Sequence, residues 1–311
     1  MTYLELKQHA GPCRLGRLHI QNASIATPNF LSIAVPNLLL KHELYLIQEQ
    51  LENIKIKPKI KKSVPKITLL SIFSKNHKKN NEFEDFGILP SFSVGYSVPR
   101  KLAMFGVEET IRIAKELDKD NKFGASVEGC KYVELAKKCI DEFRERPLLR
   151  ISSGEKLQKE HRKLAEIVTY ARESLSPNAV LYFPHAKPWM LYILAYMGID
   201  LFDNSSAIKS ALSGVYLTKS REFLLHELKE LPCECNVCRR KVNNRLEQKE
   251  LAEHNFNVLS SVLKEIREHA RKNLLRGLVE ERCTASTEAM GALRILDREK
   301  KQFLEKYTSA T

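Results

Sequence analysis

No apolar run long enough to span a membrane, about 18 residues, occurs anywhere in this 311-residue chain. The opening MTYLELKQHAG has no basic stretch followed by an apolar one, so it does not read as a signal peptide. Cysteine is sparse. There are seven, three of them crowded between positions 233 and 238, a pattern that argues against a disulfide framework and for a reducing compartment. The expected location is the cytoplasm. Acid is also short: 38 Asp and Glu against 51 Lys and Arg leave a net charge of +13. The deficit is greatest from Lys55 to Asn80, with nine lysines and no carboxylate. KIKPKIKK alternates as a strand would, and SKNHKKNN reads as a loop. Such an excess favours polyanions, nucleic acid first.

Between these absences lies a regular alternation. RLGRLHIQNASIATPNFLSIAVPN has short apolar runs broken by Asn, Thr and Pro, as in a strand pair. From Val107 the periods switch back and forth. VEETIRIAKELDKD places Val107, Ile111, Ala114 and Leu117 on one helical face. FGASVEG is a short strand, KYVELAKKCIDEFRER a helix, PLLRISSG a strand, and KLQKEHRKLAEIVTYARESL one helix. NAVLYFPHA, KPWMLYILAYMG and IDLFDNSSA read as strand, helix, strand. Strand and helix joined by short connections predict parallel strands with helical crossovers, in a barrel or an open doubly wound sheet. Either architecture puts chemistry at the C-terminal strand ends. Those ends carry Glu128 and Gly129, Ser152 to Gly154, His185, and Asp203 to Ser206. Beyond Leu231 the pattern becomes helical, with LAEHNFNVLSSVLKEIREHARKNLLRGLVEER as one long stretch. The expected organisation is a barrel over 1–230, with a metal-binding segment and C-terminal helices over 231–311.

Cys233, Cys235 and Cys238 form a Cys-x-Cys-x-x-Cys cluster, and His254 is the natural fourth ligand. Three thiolates and an imidazole suit zinc in a closed, structural tetrahedron. Idle neighbouring thiols would invite oxidation. Cys283 and His226 compete with His254 for the fourth place. Cys13, Cys130 and Cys139 read as core residues.

In chain order, MGIDLFDNSSA, YLT, LPCECNVC, HN and LVEER resemble the tRNA-guanine transglycosylase superfamily. RLGRLHI and ATPNFL resemble its opening, and GASVEGCKYVELAKKC resembles its G-x-x-Q-G element, with Glu128 where the glutamine stands. The resemblance covers nearly the whole chain except about 38–90. It implies an α/β fold, an irregular (β/α)8 TIM-like barrel with a zinc-binding insertion and C-terminal helices, and tRNA as partner. In that family an aspartate attacks the anomeric carbon of ribose, and a second carboxylate handles the protons of the bases. Asp203 stands in the nucleophile's place, where it also suits a helix N-cap. Asp200 reads as structural. The D-S-G-G-F-Q stretch of the active enzymes is missing; GILPSFSVGYSVPRK stands there instead. Glu128 is the one rim carboxylate left to replace the second acid, unless it is a solvated rim residue or a lysine's partner. Gly129, Ser153, Gly154 and His185 are expected to line the substrate pocket.

RPLLRISSG, SPNAVLYFP and YMGIDLFD resemble one branch more closely, the archaeosine synthases. That branch acts on 7-cyano-7-deazaguanine in the D-arm of tRNA and adds lysine to its nitrile. The resemblance implies a second chain carrying the lysine-transfer and PUA-type domains, or a transglycosylase paralogue. It also implies a radical-SAM partner and dimerisation through the zinc region. The sequence ends at Thr311, ahead of any such domains, so it is expected to be the N-terminal part alone. Two other readings stay open: an active transglycosylase using Asp203, and a non-catalytic tRNA-binding accessory subunit.

Overall fold

A computed structural model describes residues 2–33, 44–48, 64–69, 86–241 and 245–307. The lysine-rich stretches KIKPKIKK and SKNHKKNN lie outside these residues, so their sequence readings are not addressed.

Eight parallel strands form the centre: β4 (Asn29–Ile33), β5 (Tyr45–Gln48), β6 (Lys66–Leu69), β7 (Phe86–Ile88), β8 (Ala125–Val127), β9 (Leu148–Ile151), β10 (Val180–Phe183) and β11 (Leu201–Asp203). Each pairs with its chain neighbour, and β11 returns to pair with β4. The last seam closes where Leu89 N donates to Gly124 O at 2.8 Å and Gly124 N donates to Gly87 O at 2.9 Å. A bridge pairs Ile88 with Gly124 in parallel. The sheet is therefore a barrel, not an open sheet.

Side-chain alternation separates its two faces. Leu31, Leu46, Ile67, Leu148, Val180, Tyr182 and Leu201 fill the lumen. Leu149, Ile151, Leu181, Phe183 and Phe202 face the helices. Three antiparallel strands, β1 (Thr2–Ala10), β2 (Cys13–Ile20) and β3 (Ala23–Thr27), precede the barrel. They insert Leu4, Leu18, Ile20 and Ile25 into the lumen cluster. They sit at the N-terminal end, where Leu4 N donates to Asn178 O. A buried ion network fixes this floor. Arg14 Nε and Nη2 donate to the two carboxylate oxygens of Asp200 at 3.0 and 2.5 Å, and Arg172 lies 3.5 Å away. Asp200 is thus a structural anchor.

The outer layer holds α1 (Arg100–Leu117), α2 (Val133–Glu142), α3 (Gly154–Leu157), α4 (His161–Ser174), α5 (Pro188–Tyr196) and α6 (Ser205–Leu212). α5 is apolar all round and buried except for partly exposed Trp189, as a helix enclosed on nearly every side must be. It packs against α7 (Gln248–Arg271), α8 (Leu275–Cys283) and α9 (Thr287–Glu299); α10 (Lys301–Tyr307) follows. A hairpin of β12 (Val215–Leu217) and β13 (Glu222–Leu224) leads from α6 to the cysteine segment.

Three helix readings change at their ends. α1 begins seven residues before Val107, behind Pro99, because exposed Leu102 and Phe105 break its apolar stripe. The helix expected over 156–175 is two, α3 and α4. Between them Gln158 turns its amide to the loop after β10, donating to His185 O at 3.0 Å and accepting from Lys187 N at 3.0 Å. The long C-terminal helix stops at Arg271. Asn273 there takes φ +57°, a left-handed conformation that Asn tolerates.

Candidate active site and metal centre

The C-terminal rim of the lumen gathers the polar side chains that the strand pattern singles out. Asp203 ends β11 facing inward and is 1% exposed. The Tyr182 hydroxyl on β10 donates to its Oδ2 at 2.5 Å. Its Oδ1 accepts from His185 N at 3.1 Å, from Ser205 N at 3.0 Å and from the Ser205 hydroxyl. The N-cap of α6 is Asn204, not Asp203; Asp203 stands one residue earlier and accepts from the first helical N–H, that of Ser205. Burial, followed by the Asp203 charge, pushes the Tyr182 phenol well above its ordinary range, against the pull of Arg150.

Glu128 ends β8 on the same rim. It is neither solvated nor paired with a lysine, as one sequence reading had it: it is 5% exposed. Ser91 and Ser152 donate their hydroxyls to its two oxygens at 2.9 and 3.0 Å. Burial raises its carboxyl above the usual range, opposed by the Arg150 charge and by hydroxyls of Ser91, Ser152 and Ser93.

The remaining expected pocket residues shape the rim chiefly through their backbones. Gly129 turns with φ +77°, and a Cβ there would lie 2.8 Å from Val107 Cγ2. Ser153 is left-handed and offers its carbonyl to Lys156 N and Leu157 N in α3. At Gly154 a Cβ would meet Pro184 O at 2.2 Å, so only glycine lets the exits of β9 and β10 approach this closely. His185 is left-handed as well, and its Nδ1 is buried without a partner among the described residues. It opens onto a cleft of about 130 Å³ lined also by Lys187, Lys209, Glu155, Glu222 and Ser210. Lys187 Nζ bonds Glu222 at 2.6 Å and Ser210 at 3.1 Å; Lys209 bonds Glu155 at 2.7 Å. Tyr182, Arg150 and Ser91 escape the sequence reading, whereas Ser152 is among the strand-end residues it names. A charged or hydroxyl residue at alternate positions of an otherwise apolar strand, as in LLRIS, is the signal that marks Arg150 and Ser152.

The second centre lies between β12 and α7. The ligand atoms of Cys233, Cys235, Cys238 and His254 all lie within 4.8 Å of one another. His254 Nδ1 is 3.2 Å from Cys238 Sγ and 3.6 Å from Cys235 Sγ. Its Nε2 lies 2.9 Å from Leu217 O, a partner that fixes the proton on that nitrogen and turns Nδ1 to the sulfurs. Burial lowers the imidazole to about 4, so it stays neutral, the form that ligates. Tyr216 stacks on the ring with centroids 3.8 Å apart and brings its hydroxyl to 3.4 Å from Cys238 Sγ. Asn255 ties the next position down: its Oδ1 accepts from Leu217 N, and its Nδ2 donates to Val215 O. A capping box of Glu247 and Glu250 starts α7 beside the cluster. These donors fit a tetrahedral metal ion. The rivals for the fourth place are elsewhere, since His226 is exposed on a 3-10 turn and Cys283 is buried in the main core.

Among the described residues no helix is long and apolar enough to cross a membrane. Residues 88–288 match the family described as queuine tRNA-ribosyltransferase. The chain is 29% identical over 273 residues to a tRNA-guanine(15) transglycosylase of Methanobrevibacter smithii, covering 76% of this chain and 40% of that one. It is 36% identical over 120 residues to an archaeosine synthase of Haloferax volcanii, covering 38% and 20%. An archaeosine synthase subunit alpha of Methanosarcina acetivorans is 32% identical over 158 residues, covering 48% and 25%. The chain thus spans 40% or less of the length of each of these relatives.

Proposed function

The chain belongs to the queuine tRNA-ribosyltransferase family, and from that premise we propose that it serves tRNA modification as the transglycosylase-like subunit of an archaeosine synthase. Its substrate would be tRNA carrying 7-cyano-7-deazaguanine in the D-arm. The observation that carries this reading is the condition of Asp203. A nucleophile needs a free lone pair aimed at the anomeric carbon. Asp203 is buried and holds four donors, and stripping them leaves buried groups unpaired. Adding an amine across a nitrile makes no such demand. One C–N bond forms, the amine proton passes to the nitrile nitrogen, and nothing leaves, so no aspartate need attack.

On this reading the barrel mouth presents the base. A second chain with lysine-transfer and PUA-type domains supplies the amine chemistry, and a radical-SAM partner completes archaeosine. Lys187 and Lys209, on the cleft beside Asp203, are suited to exchange their glutamates for RNA phosphates, and binding would weaken with salt. The Cys233, Cys235, Cys238 and His254 cluster would hold zinc as a structural ion, fastening the cysteine segment to α7. The barrel of 1–230 and the segment 231–311 would form the two units, in the cytoplasm. Phe223 and Leu224, exposed on β13, support dimerisation through the zinc region, as a non-catalytic accessory subunit would also require.

A second reading has its own support. Asp203 and Glu128 share one mouth, and relatives such as that of M. smithii bear the transglycosylase name. The test is incubation of the purified chain with tRNA and labelled guanine or 7-cyano-7-deazaguanine. No incorporation is expected. Incorporation that disappears in Asp203→Ala would overturn the subunit reading in favour of base exchange.

A further inference from the structure

An arginine in the middle of a short barrel strand needs a reason. Arg150 interrupts the apolar run of β9, and its register places it between Ser126 on β8 and Tyr182 on β10. All three lie on the lumen side of the alternation. Below this row the lumen is apolar, with Leu148 and Val180, and apolar Leu201 stands in register with Tyr182. Above it stand Glu128 and Ser152. Arg150 thus sits where the apolar floor meets the polar mouth.

Arg150 stands beside Tyr182 in register, and its charge opposes the upward shifts of the Tyr182 phenol and the Glu128 carboxyl. Its Nε is nonetheless buried without a partner among the described residues, and so is the hydroxyl of Ser126, which is 1% exposed. Buried unpaired polar atoms are rare and costly. Two of them on adjacent strands, in register, mark the place of an atom that arrives with a ligand. Nε–H is a donor only, and a serine hydroxyl can donate, so that atom is an acceptor. Two residues along β8 from Ser126, Glu128 offers the opposite chemistry, carboxylate oxygens that accept from N–H groups. Adjacent strands are about 4.8 Å apart. The ligand therefore carries an acceptor next to a donor edge. A guanine-type ring has that arrangement, with O6 beside its N–H groups.

We propose that Arg150, backed by Ser126, is a specificity residue that reads the O6 edge of a guanine-type base whose N–H edge faces Glu128. The proposal rests on the reading that a tRNA base enters this mouth. It assigns Arg150 a contact that a merely structural arginine would not make.

The experiment is a binding titration of the full chain, at fixed low salt, with two forms of one tRNA. In one the target D-arm guanine is intact. In the other it is replaced by 6-thioguanine, which keeps N1–H and the amino group and puts a weakly accepting sulfur in place of O6. Wild-type protein is expected to bind the guanine form about tenfold more tightly, the size of one well-formed base contact. Arg150→Met is expected to cut the ratio of the two affinities to about threefold or less. Equal binding of the two tRNAs by the wild type, or full discrimination kept by Arg150→Met, would overturn the proposal while leaving tRNA recognition standing. Failure to bind either tRNA would overturn the tRNA reading and this proposal together. Should Arg150→Met lose its far-ultraviolet circular dichroism, Ser126→Ala carries the test. It is expected to cut the discrimination to about threefold or less, and discrimination undiminished in that variant overturns the role of the pair.

Discussion

Tyr182 donates its phenolic proton to Asp203 Oδ2 across 2.5 Å, between adjacent parallel strands whose side chains share the lumen. The bond joins a fully buried phenol to a buried carboxylate. Tyr182→Phe removes the donor and leaves Oδ2 without its described partner. A loss of about 1–3 kcal/mol in unfolding free energy is expected, read from urea denaturation with an unchanged m-value. A neutral outcome would mean that water replaces the phenol and that Asp203 is more accessible than its surroundings indicate.

Glu128 gives the mouth a pH dependence of known sign. Its carboxyl is held above the ordinary 4.5 by burial. The protonated form is favoured in the folded state, so the group's contribution is full below about 4.5 and is lost as pH rises through its folded value. Glu128→Gln keeps the hydroxyl contacts and removes the charge. The stability of the variant relative to wild type should therefore rise with pH above about 4.5 and then level off. A difference that stays flat between pH 4 and 8 contradicts the assignment.

The metal centre predicts stoichiometry and location. Purified protein should carry one zinc per chain by elemental analysis. His254→Ala, or removal of the ion by a chelator, should cost several kcal/mol, roughly the scale of structural zinc sites. The effect should appear first as faster hydrogen exchange in the opening turns of α7. Less than half an equivalent of zinc would remove the basis for this expectation.

At the opposite end of the barrel, Asp200→Asn leaves Arg14 and Arg172 buried beside a neutral amide. Breaking such a pair from one side costs about 3–5 kcal/mol. The variant should unfold at markedly lower urea. Asp203→Asn, with its hydroxyl and backbone partners retained, should lose less.

The alternation of strands and helices from Val107 onward was legible because each segment has its own period, and Pro, Gly or Asn marks most boundaries. β1 was not. TYLELKQHA reads as strand or helix alike, and its pairing with β2 is a tertiary choice. The break at Asn273 was hidden because apolar spacing continues across it. The three cysteines that could hold a metal were legible from their spacing, whereas the choice of His254 over His226 and Cys283 needed the fold; the rim positions of Asp203 and Glu128 were legible because both follow buried strands. Tyr182 and Arg150 were hidden because a lumen position differs from a helix-facing one only by strand register, which pairing partners set. Ser91, in a stretch without period, could be attached to Glu128 only in three dimensions.

The sheet of β1–β3 gives the barrel a floor without a drain. Among the described residues, Leu4, Leu18, Ile20 and Ile25 close the N-terminal end with apolar side chains, which leaves the polar rim at the opposite end of the strands. Because that floor is apolar, a polar molecule meets the polar side chains of this barrel only from the C-terminal side.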